Sequence, residues 1–211
     1  MKFDMHVHTV ISPCSQLTLE EILSSAGERG LDGVCITDHD SMEVRRFLQE
    51  GVQSNGLCVI FGMEYATPDG DFLIFGSFEE IRKNLTAPEL LRHVQSSGGV
   101  AVSAHPFRAN RSTREYLIHE GLCTIVEGIN GRNLHVENDR VAAWQKRYGV
   151  KQVGGSDAHS REELGKISTI FKDTIRNRAD FVSALKEGCF YPARNNQTTI
   201  LPIPLHQAIA A

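Results

Sequence analysis

Short apolar runs at residues 3–7, 33–36, 57–61, 72–75, 100–103, 124–129, 151–153 and 167–171 alternate along the chain with stretches of helical periodicity. This alternation constrains the fold more than any other feature. A brief apolar run bounded by turn formers reads as a strand buried on both faces. Helical stretches lie between most of the runs: 18–29, with Leu19, Ile22, Leu23 and Ala26 on one face, then 87–95, 133–148 and 180–187. Thr18 followed by Glu21 is a capping box, and Gly98-Gly99 and Gly188 are stop signals. Strands covered on both faces and joined through helices pair in parallel, so the expected fold is α/β with a mainly parallel sheet, open or closed into a barrel.

A chain of 211 residues can bury one sizeable core. No internal repeat, linker or low-complexity segment divides it, and a single domain over 1–211 is expected. Its last stretch, 195–211, lacks a clear pattern and is expected to wrap the surface or contact a partner. A formal charge of -4 supplies no broad basic field for duplex nucleic acid, which makes duplex an unexpected partner and a small molecule the expected one. The five cysteines are scattered and form no CxxC pair, which argues for a reducing compartment. No apolar run approaches the ~18 residues of a membrane span. The expected location is cytoplasmic, away from any membrane.

The costly polar residues collect where these strands end. His6 and His8 close the first, Asp38-His39-Asp40 follows the second and Glu64 the third. His105 follows GVAVSAHP, and Asp157 and His159 follow VGGSDAH. Side chains two apart on a strand share a face, so His6 and His8 can reach one common point. Parallel α/β folds gather strand carboxyl ends on one face, where sites are built. Each element alone has a plainer reading: Asp40 would cap a following helix, and a lone histidine satisfies backbone groups. Together, five histidines and several carboxylates on one rim point to a metal, because buried charge must be paired or metal-bound. Histidine with carboxylate and no cysteine cluster suits zinc, manganese or iron. His93, His119, His135 and His206 lie off these motifs and are read as surface or packing residues; Trp144 is read as core.

The motifs HVHT, ITDHD, GMEY, SAHP and GGSDAH, in this order over residues 3–171, resemble the PHP superfamily, the polymerase and histidinol phosphatase metallophosphoesterases. The resemblance implies a distorted TIM-like barrel of about seven βα units with two or three divalent ions at its carboxyl-end rim. It implies that His6, His8, Glu64 and Asp157 hold one ion, that Glu64 bridges to a second bound by His105, and that His39 and His159 hold the third. Glu64, His105 and Asp157 would then be the catalytic core. The implied activity is hydrolysis of a small phosphate ester (a nucleotide, an oligonucleotide end or a metabolite phosphate) by a water that the ions activate. Histidinol-phosphate phosphatase is the alternative enzyme, and a non-catalytic metal-binding regulatory module the alternative from another class. Two positions depart from the family. Cys14, in Ser12-Pro13-Cys14-Ser15, is either a thiolate ligand or a small apolar residue. Asp71 stands where relatives often have histidine, and is either a ligand of the second ion or a turn residue after Gly70. Arg108 is the first choice for the substrate phosphate. Asn130, Arg132 and Lys166 are further substrate candidates, against the plainer readings of a solvated helix start for Arg132 and a surface lysine for Lys166.

Overall fold

The computed structural model describes residues 1–195. Most of the expected tail, 196–211 with His206, lies outside them. The strands are β1 Lys2–Val7, β2 Gly33–Ile36, β3 Gly51–Val52, β4 Cys58–Thr67, β5 Gly70–Phe75, β6 Val100–Ser103, β7 Ile125–Asn130, β8 Lys151–Gly155, β9 Ile167–Phe171 and β10 Phe190–Arg194. The α-helices are α1 Leu19–Ser25, α2 Ala87–Ser96, α3 Glu115–His119, α4 His135–Asp139, α5 Val141–Tyr148 and α6 Arg178–Glu187. The sheet runs β10-β9-β1-β2-β4-β5-β6-β7-β8, with β3 paired to β4. It curls until its ends meet. Gly154 N–H donates to Thr169 Oγ1 at 2.8 Å, Ser156 N–H to Asp4 Oδ1 at 2.8 Å, and Ala158 N–H to the His6 carbonyl at 3.1 Å. These bonds close a distorted barrel of the expected α/β type.

The expectation of a mainly parallel sheet needs one correction. β4 runs on to Thr67 and turns through Pro68-Asp69 into β5, antiparallel, with Thr67 opposite Gly70. β5 is also antiparallel to β6, and β9 runs antiparallel to both β1 and β10. The physical reason is the tight Thr-Pro-Asp-Gly turn: two residues cannot make a parallel crossover. The expected helix over 133–148 is also broken, at Arg140. There the Asn138 side chain turns to the sheet, accepting from Asn130 N–H and donating to the Asn130 carbonyl, each at 3.1 Å.

Packing follows the sequence pattern. Thr18 and Glu21 form the expected capping box, Thr18 N–H donating to Glu21 Oε2 at 2.9 Å and Glu21 N–H to Thr18 Oγ1 at 3.2 Å. α1 buries Ile22 against Val34, Ile36 and Val59, while α2 and α5 bury Leu90, Val94 and Trp144 against the β5–β7 side. An inner cluster of Phe3, Met5, Cys58, Ile60, Leu73, Phe75 and Val102 is joined by Phe181 and Leu185 of α6. His93 packs edge-on against Phe78 and His119 against Tyr148. Among the described residues no helix is long and apolar enough to cross a membrane.

Candidate metal centre

The inward rows of the barrel are apolar low down and turn polar at the rim. In β4, Cys58 and Ile60 lead to Glu64; in β7, Ile125 leads to Glu127. Because β5 runs the other way, its first residues reach the rim, and Leu73 and Phe75 lead back to Asp71. In β1 a register irregularity between Asp4 and Val7 changes the parity of the row, so that His6 and His8 follow Phe3 and Met5 into the same space. Gly155 is required opposite them: a Cβ there would lie 2.6 Å from His6 Cβ and 2.7 Å from Glu127 Oε1.

Four ligand atoms converge at the centre. His6 Nε2 and His8 Nε2 are 2.9 Å apart. Glu64 Oε2 lies 3.3 and 3.2 Å from them, and Asp157 Oδ1 lies 3.6 and 3.5 Å away. Ligands about 2.0 Å from a shared tetrahedral centre stand about 3.3 Å from one another. The five separations, 2.9–3.6 Å, lie around that value. The protonation pattern fits as well. His6 Nδ1 meets Glu127 Oε1 at 3.0 Å, and a carboxylate only accepts, so Nδ1 holds the proton and Nε2 offers its lone pair. His8 Nδ1 faces Ser12 Oγ at 3.4 Å, whose own proton goes to Asp38 Oδ1 at 2.6 Å. Two imidazole nitrogens and two carboxylate oxygens thus face each other, an arrangement that a divalent cation satisfies and that a proton on His6 satisfies without one.

The electrostatics agree. Burial alone would lower the pKa of His6, yet Asp157, Glu127 and Glu64 hold it well above its ordinary value. Burial likewise opposes ionisation of Glu64 and Asp157, but the His6 charge and histidine hydrogen bonds keep both carboxyls far below the usual range. A field that favours a proton on a buried imidazole favours a divalent cation more.

Two further clusters flank this one. Glu64, Asp71 and His105 form the first, with His105 Nε2 at 2.8 Å from Glu64 Oε1 and 3.8 Å from Asp71 Oδ2. His105 Nδ1 is buried without a hydrogen-bond partner among the described residues. The second unites His8, His39 and His159; His39 Nδ1 stands 3.0 Å from Glu64 Oε2, and His159 Nδ1 is 3.5 Å from Asp157 Oδ1. Burial and the neighbouring His8 push the pKa of His159 down to about 4, leaving the neutral imidazole that binds metals. His105 and Asp157 take left-handed backbone angles, φ 31° and 55°, the kind of strain that persists where a site demands it. All of the expected ligands fall within these three clusters.

The other expected residues are placed less uniformly. Arg108 reaches the rim, its Nη2 donating to Asp157 Oδ2 at 2.7 Å and to Asn130 Oδ1 at 2.8 Å, and its Nε to Asn133 Oδ1 at 2.9 Å. Asn130 is buried and also donates to Glu127 Oε2 at 2.8 Å, so it ties the network together beneath the surface. Arg132 pairs loosely with Glu163 at 3.5 Å, and Lys166 is exposed just before β9. Cys14 is exposed and belongs to none of the three clusters, and burial of its sulfur raises its pKa further from the thiolate form. Two residues were overlooked in the sequence. Glu127 binds His6, the His105 N–H at 2.7 Å and Asn130; its signal was an acid inside an apolar run. Arg111 grips Asp71 with two bonds of 2.6 Å.

The chain and its fold are similar to several known proteins. Residues 135–189 match the family model described as PHP-associated. An uncharacterised protein of Methanocaldococcus jannaschii is 29% identical over 196 residues, covering 87% of this chain and 76% of that protein. A protein of Vibrio parahaemolyticus named a probable phosphatase is 28% identical over 199 residues, 78% of this chain and 80% of that one. Among solved structures, PsfC from Pseudomonas syringae superposes with a TM-score of 0.73 at 18% identity, covering 92% of this chain and 91% of its own. A two-domain protein of Bacteroides vulgatus containing a predicted PHP-like metal-dependent phosphoesterase gives 0.69 at 17% identity, covering 92% and 64%. Endonuclease Q, in complex with a duplex bearing an abasic lesion, gives 0.67 at 18% identity, and this chain spans 88% of its own length but 56% of that one.

Proposed function

We propose that this chain is a metal-dependent phosphoesterase of the PHP type, and that it hydrolyses a small phosphate monoester at the barrel rim. The observation that carries the reading is the set of three overlapping ligand clusters that meet at Glu64 and His8. His6, His8, Glu64 and Asp157 would hold one ion, Glu64, Asp71 and His105 a second, and His39 and His159, with His8 at hand, a third. Divalent zinc, manganese or iron, when bound there, supplies Lewis acidity for the phosphoryl oxygens and lowers the pKa of a water for in-line attack.

The protein's own groups do the positioning. Glu127 fixes the His6 tautomer and, through the His105 N–H, holds a second ligand in place. Arg108 is locked by Asp157, Asn130 and Asn133, while no hydrogen bond occupies its Nη1 among the described residues and its side chain is 24% exposed. That fixed, half-free guanidinium suits one oxygen of the substrate phosphate. Arg132 and Lys166 would add positive charge at the edge.

The test is turnover of 4-nitrophenyl phosphate by protein stripped with a chelator and reloaded with manganese, followed by nucleotides, metabolite phosphates and an abasic-site duplex. Manganese-restored monoester hydrolysis supports the proposal. Binding of manganese without turnover of any of these would make the chain a metal-binding module instead. Faster cleavage of the duplex than of the monoesters would overturn the small-substrate assignment; the endonuclease Q complex is the reason to include it.

A further inference from the structure

Asp71 is buried, yet both of its oxygens are held by a side chain that arrives from solvent. Arg111 Nε donates to Oδ2 and Nη2 to Oδ1, each at 2.6 Å, and the Arg111 side chain remains 51% exposed. The loop that carries it is pinned at its ends. His105 N–H donates to Glu127 Oε2 at 2.7 Å, Thr113 N–H to the Pro106 carbonyl at 2.9 Å, and Thr113 Oγ1 shares a hydrogen bond of 2.7 Å with Ser103 Oγ. Among the described residues, Asp71 is the one acceptor that holds the Arg111 guanidinium.

The Asp71 oxygen that accepts from Arg111 Nε is also the one that lies 3.8 Å from His105 Nε2, within the Glu64, Asp71 and His105 cluster. A guanidinium and a divalent cation would therefore compete for one buried carboxylate. The guanidinium cannot lose its proton to relieve the repulsion, so it must move. It has somewhere to go. Arg111 and Asp71 together line a cavity of about 670 Å³ with Thr67, Asn84, Asn110 and Arg114, a space of the size that holds a nucleotide-sized ligand. Asp71 is the one carboxylate in that lining.

We propose that Arg111 is a displaceable counter-ion: it closes Asp71 in the metal-free protein, leaves when a divalent cation takes the carboxylate, and then binds an anionic group of the substrate from within the cavity. The first half rests on the metal reading of the cluster and the second on the phosphoesterase reading. In both halves one positive charge serves two sites in turn. Asp71 stays neutralised while no ion is bound, and anion binding is strengthened only after the ion has arrived.

The experiment uses Arg111→Gln and Arg111→Lys with manganese alone, zinc alone and inorganic phosphate as probes. Removing the competitor should tighten binding of the second manganese equivalent about tenfold, the scale of one charge-assisted pair, and Arg111→Lys should fall between. Manganese-loaded Arg111→Gln should bind inorganic phosphate about tenfold more weakly than wild type. In the wild-type protein, the nitrogen-15 resonance of Arg111 Nε should lose its exchange protection when zinc fills the site. Weaker or unchanged manganese binding in Arg111→Gln, or an Nε signal still protected with zinc bound, would overturn displacement and leave Arg111 a fixed support for Asp71. Unchanged phosphate binding would overturn the anion role. None of these measurements needs turnover, so displacement can hold where the hydrolysis assay fails, and the reverse. Melting temperatures of both variants in the manganese-loaded form, where the ion takes over the neutralisation of Asp71, are expected near wild type and show that the fold is intact.

Discussion

Glu127→Gln tests the logic of the centre with the smallest change of shape. Glu127 is fully buried, and its two oxygens serve three donors: Oε1 takes His6 Nδ1 at 3.0 Å, while Oε2 takes the His105 N–H at 2.7 Å and Asn130 Nδ2 at 2.8 Å. Glutamine keeps one oxygen and replaces the other with an amide that only donates. Placed at the Oε2 position, the amide would face two N–H groups and strand both, at about 1–3 kcal/mol each. Placed at the Oε1 position, it faces only His6, which can adapt by moving its proton from Nδ1 to Nε2. The second orientation is the cheaper one. Its consequence falls on the metal, because His6 Nε2 is the nitrogen that points at His8, Glu64 and Asp157.

To bind an ion, the variant must return His6 to the other tautomer and give up the new hydrogen bond, at about 1–3 kcal/mol, or roughly a five- to 150-fold loss of affinity. That range brackets the 10–100-fold effects found for outer partners of metal-bound histidines. Chelator-competition titration with zinc or manganese measures the affinity, and a thermal melt of the metal-free protein measures the fold. The expected result is a melting temperature within a few degrees of wild type with metal affinity reduced about 10–100-fold. Affinity within twofold of wild type would refute the tautomer argument. If the melting temperature also fell sharply, the amide would have taken the Oε2 side instead.

Other outcomes follow from the same structure. His6→Ala and Asp157→Ala should each lower bound metal, read by elemental analysis after reconstitution, and remove hydrolysis, since both face the central cluster. Cys14→Ser should leave metal stoichiometry unchanged; a lost equivalent would make the thiol a ligand despite its exposure. Far from the rim, Arg178 donates to Glu50 Oε2 at 2.9 Å, Glu79 Oε1 at 3.0 Å and the Gly76 carbonyl at 2.8 Å, so Arg178→Ala should lower the melting temperature by about 5–10 °C. Burial works against ionisation of Glu79, but its backbone bond and Arg178 outweigh it and hold its pKa below the ordinary 4.5. A lowered carboxyl pKa contributes stability above 4.5 that is lost as pH falls through the folded value. The gap between wild type and Arg178→Ala, followed by thermal melts from pH 7 to pH 3, should therefore narrow in acid; a gap constant over that range would count against the pair.

What could be read from the sequence depended on how far each feature is local. Strands such as β2 and β6 are apolar on both faces, and their runs announced them. β4 was cut short because the row that enters the site carries Glu64, so the chemistry interrupted the pattern that would have extended the strand to Thr67. The Thr-Pro-Asp-Gly turn that reverses the chain was in plain view, and it carried the missing hairpin. β10 holds Pro192 and is half exposed, as an edge strand can be, and it offered no apolar run. Ligands that arrive as His-x-His or Asp-His-Asp are separated by a residue or two and were legible. Glu127 acts on His6 and His105, and Arg111 acts on Asp71, partners that only the closed barrel brings near.

The reversal of β5 links these observations. In a uniformly parallel barrel the residues after Phe75 would reach the rim; with β5 reversed, its beginning does, and Asp71 joins Glu64, Glu127 and Asp157 around one small volume. Histidine at that position would add a neutral ligand. An aspartate adds a fourth acid to a buried rim, and without an ion the repulsion among these groups must be offset by nearby positive charge or by protons. His6 carries part of that balance, Arg108 meets Asp157, and Arg111 meets Asp71. The choice of aspartate and the presence of Arg111 are thus two sides of one solution, so changing both should be milder than changing Asp71 alone. Asp71→His combined with Arg111→Gln should restore most of the second-ion binding that Asp71→His alone, with a stranded guanidinium beside a neutral ligand, would weaken. A double variant no better than the single one, in manganese titrations of both, would show that the two residues are not coupled.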